Sequence, residues 1–338
     1  MTVWMVRAGA HGEREDFALE KSLVVIGWNE VPDISRMQSR EELKELLQQV
    51  YPDGKRGTIA SWVGQLWAFL TRIEVGDLVA LPLKARSAIA VGRVTGPYQY
   101  RPDLPEGAHH SRPVEWIRKD IPRSVFGQDI LYSLGAFLTV CQIRRNNAEE
   151  RIRTILEGQP DPGVVPPLTE EPQAGEEPPR NLEEYAQDQI QGYIGRGFKG
   201  HALARLVAAV LTAQGYHIQM SPEGPDGGVD IIAGQGPMGF DSPRLCVQVK
   251  SSDSPVDVRV LRELQGVMPN FGAEQGLLVS WGGFKESVYK EARRLFFQIR
   301  LWDAGDLVQA LLRHYDKLPE GLQAELPLKR IWTLVLEE

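Results

Sequence analysis

Apolar positions in the second half of this chain switch period several times. Leu203, Leu206, Val207, Val210 and Leu211 recur at the three-and-four spacing of a helix buried along one face. Gly215 stops that run, and Tyr216, Ile218 and Met220 then alternate as a strand does. Two short apolar strands follow, the first with Asp230 at its start and the second carrying Gln248 and Lys250. Then come a helix with Val258, Leu261 and Leu264, an apolar strand over 276–280, a basic helix over about 285–298, a strand at Leu301-Trp302 and a helix over 306–314. The predicted order is α-β-β-β-α-β-α-β-α, the alternation of a sheet flanked by helices.

The first half reads differently. Strands are predicted over 3–6 and 23–28, helices over 40–50 and 59–71, two alternating strands within 75–100 and another over 113–117. Many short strands with two early helices suggest an α+β small β-barrel.

Length and charge divide the chain. At 338 residues two domains are expected. The net charge of −7 argues at first against a nucleic-acid partner. Its location changes that argument. Between 161 and 188 stand Asp161, Glu170, Glu171, Glu176, Glu177, Glu183, Glu184 and Asp188 against Arg180 alone, which leaves the rest near neutral. The same stretch holds Pro162, Pro166, Pro167, Pro172, Pro178 and Pro179, so its composition is that of a linker. The expected division is a domain over 1–156, a linker over 157–183, a second domain over 184–315 and an apolar tail over 316–338. Leu322, Leu326, Leu328, Ile331 and Trp332 make that tail too apolar for disorder, so it should pack on the second domain or on a partner subunit.

No apolar run approaches the roughly 18 residues that span a membrane, and the first residues carry no secretory pattern. Cys141 and Cys246 both sit in apolar runs, as reduced buried thiols of a cytoplasmic protein would. No Cys/His cluster has zinc spacing. His109-His110, in a Pro-rich loop, reads as a solvated pair.

The chemistry concentrates between Gly224 and Lys250, in GPDGGVDIIAGQGPMGFDSPRLCVQVK. Alternate strand residues share a face, so Gln248 and Lys250 point one way while Val247 and Val249 point into the core. An acid, an amide oxygen and a lysine at two strand ends can hold a divalent metal and an attacking water, as phosphodiester hydrolysis requires. Mg2+ prefers oxygen ligands. Asp230 offers an anionic oxygen, Gln248 an amide oxygen and Val249 its carbonyl, while Lys250 would stabilise a hydroxide nucleophile or the charge of the pentavalent state. A plain surface ion pair between Asp230 and Lys250 is the competing reading. Asp226 reads as a turn former, since Asp-Gly is a common turn pair. In the basic helix, Lys285 and Arg293 could track a phosphate backbone, or belong to a solvated face balanced by Glu286 and Glu291.

The element order, GPDGGVD and QVK together resemble the catalytic domain of the Mrr family, restriction endonucleases of the broad PD-(D/E)XK nuclease fold. The resemblance covers roughly 195–315. It implies a restriction-endonuclease-like α/β domain with a mixed central sheet flanked by helices. It also implies Mg2+ as cofactor, Asp230 as metal-ligating acid, Gln248 as second metal-side group and Lys250 as catalytic lysine. Many such domains carry a Glu in the first helix, near Leu203-Ala204 here. No acid occurs between Lys199 and His217, and His201 is the nearby polar group.

In the first half, GQLWAFLTRIEVGDLVALPLK and AIAVGRVTG resemble PUA-like domains, and within them the EVE branch, relatives of readers that flip modified bases. A flipped base needs an aromatic-lined pocket. Trp28 and Trp62 border a barrel mouth on this reading, Trp67 belongs to the core, and Arg7 could contact a base edge or phosphate. Together the resemblances imply modification-dependent restriction of double-stranded DNA. A structure-specific repair nuclease, and a DNA-binding protein with an inactive nuclease domain, are the alternatives. One active site cuts one strand, so double-strand cleavage calls for a homodimer or two sequential nicks.

Overall fold

The computed structural model describes residues 2–144, 146–163, 181–222 and 228–333. Asp226 and most of the acidic Pro-rich stretch lie outside them. The chain divides into two compact units, Met1–Tyr185 and Ala186–Glu338.

The first unit is built on β1 (Val3–Val6), α1 (Glu15–Lys21), β2 (Leu23–Ile26), α2 (Arg40–Val50), α3 (Arg56–Trp67), β3 (Leu78–Pro82) and β4 (Ala88–Val94). There follow β5 (Gln99–Tyr100), β6 (His110–Pro122), α4 (Gln128–Leu134), β7 (Val140–Ile143) and α5 (Ala148–Leu156). Its sheet runs β2-β6-β4-β3-β1-β7, with β5 added on β6. Among the described residues the path does not close; it curves as a half-barrel. β1 pairs in parallel with β3 and antiparallel with β7. Both faces are covered, so β1, β2 and β3 are apolar at every position. Trp4 and Val6 join Leu43, Leu47 and Leu66 beneath α2 and α3, while Val3 and Met5 face Ile130, Leu134 and Ile152 of α4 and α5.

Three local features depart from the sequence reading. Strand β2 stops at Ile26, because Trp28 adopts φ 66°, a left-handed conformation no strand accepts. Helix α3 passes into a π-helical turn over Ala68–Arg72. The carbonyls of Phe69 and Leu70 there accept hydrogen bonds from Arg112 at 2.7 and 2.8 Å. His110 is no solvated residue: it is buried, with Nδ1 2.7 Å from the Tyr98 hydroxyl and Nε2 3.1 Å from the Val31 carbonyl. Burial lowers its pKa.

The second unit contains most of α6 (Leu182–Gly197), then α7 (His201–Ala213), β8 (His217–Met220), β9 (Ile231–Gln235), β10 (Asp241–Lys250), α8 (Val258–Val267), β11 (Gln275–Ser280), α9 (Glu286–Arg294), β12 (Ile299–Trp302), α10 (Ala304–His314) and α11 (Glu320–Glu325). The sheet order is β12-β11-β10-β9-β8. β10, β11 and β12 are parallel, and β8, β9 and β10 are antiparallel, so the sheet is mixed with helices on both faces. Strict alternation sets the two cores. Val247, Val249, Leu277 and Val279 pack with α7 and α10. Cys246 and Leu278 pack with α8 and α9. Leu322 and Leu326 complete the α7/α10 core, whereas Ile331 and Trp332 stand exposed beyond it. No helix among the described residues is long and apolar enough to cross a membrane.

Candidate active site and aromatic cluster

The three residues singled out around 224–250 meet on one face of the second sheet. Val247 pairs with Ile231, so one further step sets Asp230 opposite Gln248. By the two-residue alternation that puts Cys246 and Ile232 on the α8/α9 side, Asp230, Gln248 and Lys250 share that side. Asp230 is held from two directions. Its N–H donates to the Val247 carbonyl at 2.9 Å, and its Oδ2 accepts the Val249 N–H at 2.7 Å. That second bond fixes the carboxylate against the backbone of the residue between Gln248 and Lys250.

Gln248 is only 3% exposed, and its Oε1 accepts no hydrogen bond from the described residues. A buried amide oxygen without a donor costs about 1–3 kcal/mol. Gly228, at φ 87°, lies beside it: a Cβ there would stand 3.8 Å from Gln248 Nε2. An unpaired oxygen beside a carboxylate suits a hard cation. Asp230, Gln248 and the Val249 carbonyl therefore fit a Mg2+-type ion in donor chemistry. The set is poor in carboxylates, and no group of three His, Cys, Asp or Glu side chains that could hold a metal occurs among the described residues.

Lys250 closes β10 opposite Ser280, and its carbonyl accepts the Trp281 N–H at 2.8 Å. The next residue, Ser251, accepts the Gly200 N–H at 2.9 Å, which ties the start of α7 to the end of β10. His201 is therefore carried at this end of the sheet, exposed, in the first turn of α7. The residue between Lys250 and the α7 start was not singled out in the sequence. A lone Ser after a strand carries no signal until the fold supplies its donor.

Lys285 and Arg293 stand at opposite ends of α9. Lys285 caps α9 just after the turn that leaves β11, on the Lys250 side. Arg293 stands in the last turn, eight residues or about 12 Å further along the helix.

In the first unit, Trp28 and Trp62 do come together, with ring centroids 6.4 Å apart in an edge-to-face arrangement. Tyr51, at the end of α2, adds a third ring 4.9 Å from Trp62, and its hydroxyl donates to Glu30 at 2.7 Å. Both tryptophans are half-buried, packing on the α2/α3 core with one side open. Trp4 and Trp116 are different: their indole N–H groups donate to Asp77 and to the Ala18 carbonyl, as structural tryptophans do. Arg7 is not part of the aromatic cluster. Its guanidinium donates to the Leu134 carbonyl at 2.8 Å and pairs with Glu184 at 3.2 Å. Glu184 also meets Lys84 and Arg123. Burial alone would raise the Glu184 pKa, but Arg7, Arg123 and Lys84 outweigh it and hold the carboxyl at about 2. Asp161, linker by composition, likewise sits in an ion cluster with Arg151.

Residues 196–311 match a family model, Mrr_cat, described as restriction endonuclease. Residues 4–130 match one described as a domain of unknown function, DUF8426. No curated protein sequence matches the chain. Among solved structures, it is similar to the DNA modification-dependent restriction endonuclease AspBHI at 17% identity and TM-score 0.34, covering 74% of this chain and 67% of that one. It is also similar to MspJI restriction endonuclease in complex with a 27-mer oligonucleotide, at 14% identity and TM-score 0.33, covering 81% and 70%. A protein of unknown function, AF1548, overlaps at 16% identity and TM-score 0.25, covering 35% and 66%. The chain spans about two-thirds of the length of each, and the overlaps are loose. The second unit thus carries a restriction endonuclease domain, and the domain match points to a DNA nuclease.

Proposed function

We propose that the chain is a Mg2+-dependent DNA endonuclease whose first unit selects DNA by a modified base and whose second unit hydrolyses the backbone. The observation that carries the hydrolytic half is the buried Gln248 Oε1, without a donor among the described residues, opposite Asp230 in a restriction endonuclease domain. A native fold tolerates an orphaned buried oxygen where function requires one.

Asp230, Gln248 and the Val249 carbonyl would hold the cation. When bound, it neutralises charge at the scissile phosphate. The protein's own contribution is positional. The Val249 N–H keeps the Asp230 carboxylate turned toward the end of β10. Lys250 brings an ammonium to the same strand end, where it stabilises negative charge as the pentavalent phosphorus develops. The Gly200–Ser251 bond keeps the loop after Lys250 against α7, so the ammonium stays on a rigid strand end.

The reader half rests on the Trp28–Trp62–Tyr51 cluster, an open aromatic platform of the type on which an extruded base stacks. Matched duplexes that are unmodified, methylated, hydroxymethylated or glucosylated, each incubated with and without Mg2+, test both halves. Cleavage of one modified class, with Mg2+ only, is expected. Equal cleavage of all four removes the reader, and cleavage in chelator removes the metal.

A further inference from the structure

The second unit leaves two apolar features uncovered. One is a cleft of about 240 Å3 at the end of the sheet where β11 and β12 begin. Leu245, Leu277, Tyr216 and Trp302 line it, and Phe296 and Phe297 stand at its mouth. Phe297 is 86% exposed. The turn between β9 and β10 brings Met238 and Phe240, both largely exposed, to the same end. Lys250 pairs with Ser280 at the opposite end, so this patch lies away from the candidate active site. Large apolar side chains exposed around a cleft mark an interaction site.

The other feature is the segment that leaves α11. The Leu328 N–H donates to the Tyr315 hydroxyl at 3.0 Å and Arg330 pairs with Asp316, after which Ile331 stands exposed. Trp332 is 98% exposed. In sequence, Ile331-Trp-Thr-Leu-Val-Leu336 is rich in β-branched and aromatic residues, and as a strand it would put Trp332, Leu334 and Leu336 on one face.

We infer that residues 331–336 of one chain dock on the Phe296–Phe297 cleft of a second copy, laid along β12. Three observations choose this occupant. β12 is the last strand of the sheet path, so one of its edges pairs with no strand among the described residues. The segment is followed by Glu337-Glu338, while the cleft has Arg300 at its rim and Arg293 and Arg294 in the last turn of α9, a complementary pairing of charge. The Arg300 guanidinium lies 3.8 Å from the centroid of the Phe296 ring, which holds that ring at the mouth. A single copy leaves Ile331, Trp332 and Phe297 exposed. Two copies cover segment and cleft at once, and reciprocal exchange closes as a two-fold dimer. The inference does not rest on the nuclease reading, since neither surface touches Asp230, Gln248 or Lys250.

Sedimentation equilibrium on the full chain, on a chain ending at Arg330 and on the Phe296→Ser/Phe297→Ser variant tests it. The full chain should be dimeric at micromolar concentration, with each variant's dimer dissociation constant raised about 30-fold or more, as for loss of an aromatic anchor. The two variants are then mixed, one carrying an affinity tag. Each supplies what the other lacks, so capture of the untagged partner is expected from the mixture and from neither alone. Circular dichroism melts confirm that both variants stay folded. A monomeric full chain, a truncated chain that stays dimeric, or a mixture that does not associate overturns the proposal; the last result means that the segment folds back on its own chain.

Discussion

Arg112 in the first unit and Gln248 in the second are equally buried, each 3% exposed, yet they do opposite things. Arg112 spends its donors on three backbone carbonyls, of Phe69, Gly96 and Leu70. Burial pulls its pKa down to about 10, still far above neutrality, so it remains a charged strut across a π-helical turn. Gln248 leaves Oε1 with no donor among the described residues. Full satisfaction signals architecture, and an unmet oxygen in a tight site signals a ligand to come.

The comparison breaks most visibly by removing the strut. Arg112→Met should cost the first unit about 3 kcal/mol or more, because three buried carbonyls lose their donor. Thermal melts of the variant should show that loss as a large drop in the first unit's transition, with the second unit's unchanged. A variant that melts like wild type would place Arg112's bonds outside the architecture.

Glu184 tests the same idea through pH. Its carboxyl is depressed from 4.5 to about 2, so it contributes stability at all pH values above about 4.5. That contribution, on the order of 3 kcal/mol, is lost as pH falls from about 4.5 through about 2. Urea midpoints for wild type and Glu184→Gln should therefore differ at pH 7 and converge toward pH 2. A gap that persists at pH 2 contradicts the ion cluster as its source.

Gln248 should answer with the other sign. Gln248→Leu keeps the volume and removes the orphaned oxygen, so the second unit should melt at the same temperature or higher. Cleavage should meanwhile fall about 100-fold. Loss of stability with retained cleavage would make Gln248 an ordinary core residue.

The smallest effect belongs to the aromatic cluster. Trp28→Ala or Trp62→Ala should weaken binding to modified DNA by roughly 1–3 kcal/mol while sparing salt-sensitive nonspecific binding. Titrations on modified and plain duplexes, paired with melts, separate a stacking role from a core role, which would damage both together.

These same residues show how far the sequence can be read. The second unit's element order from α7 to α10 follows from periodicity, because these elements are apolar and cleanly punctuated, whereas α6 and α11 lie outside that reading. Val247 and Val249 against Gln248 and Lys250 is likewise a local alternation. What could not be read depends on distant partners. Arg7 sits at a strand end as expected, but its direction is set by Glu184, far along the chain. His110 looked solvated because nothing nearby in sequence announces Tyr98 and Val31 as its partners. The sequence places Trp28 and Trp62 near a barrel mouth, but their meeting depends on a left-handed turn at Trp28 that β2's apolar run conceals.

On the proposed function, Asp230, Gln248 and Lys250 form one phosphodiester-cleaving centre. The most direct measurement is the single-turnover cleavage rate of Lys250→Ala against wild type in Mg2+, on the best duplex, with binding and melting followed in parallel. A fall of about 100-fold or more, with affinity and melting temperature unchanged, is the predicted result. Cleavage by Lys250→Ala at the wild-type rate would contradict the account.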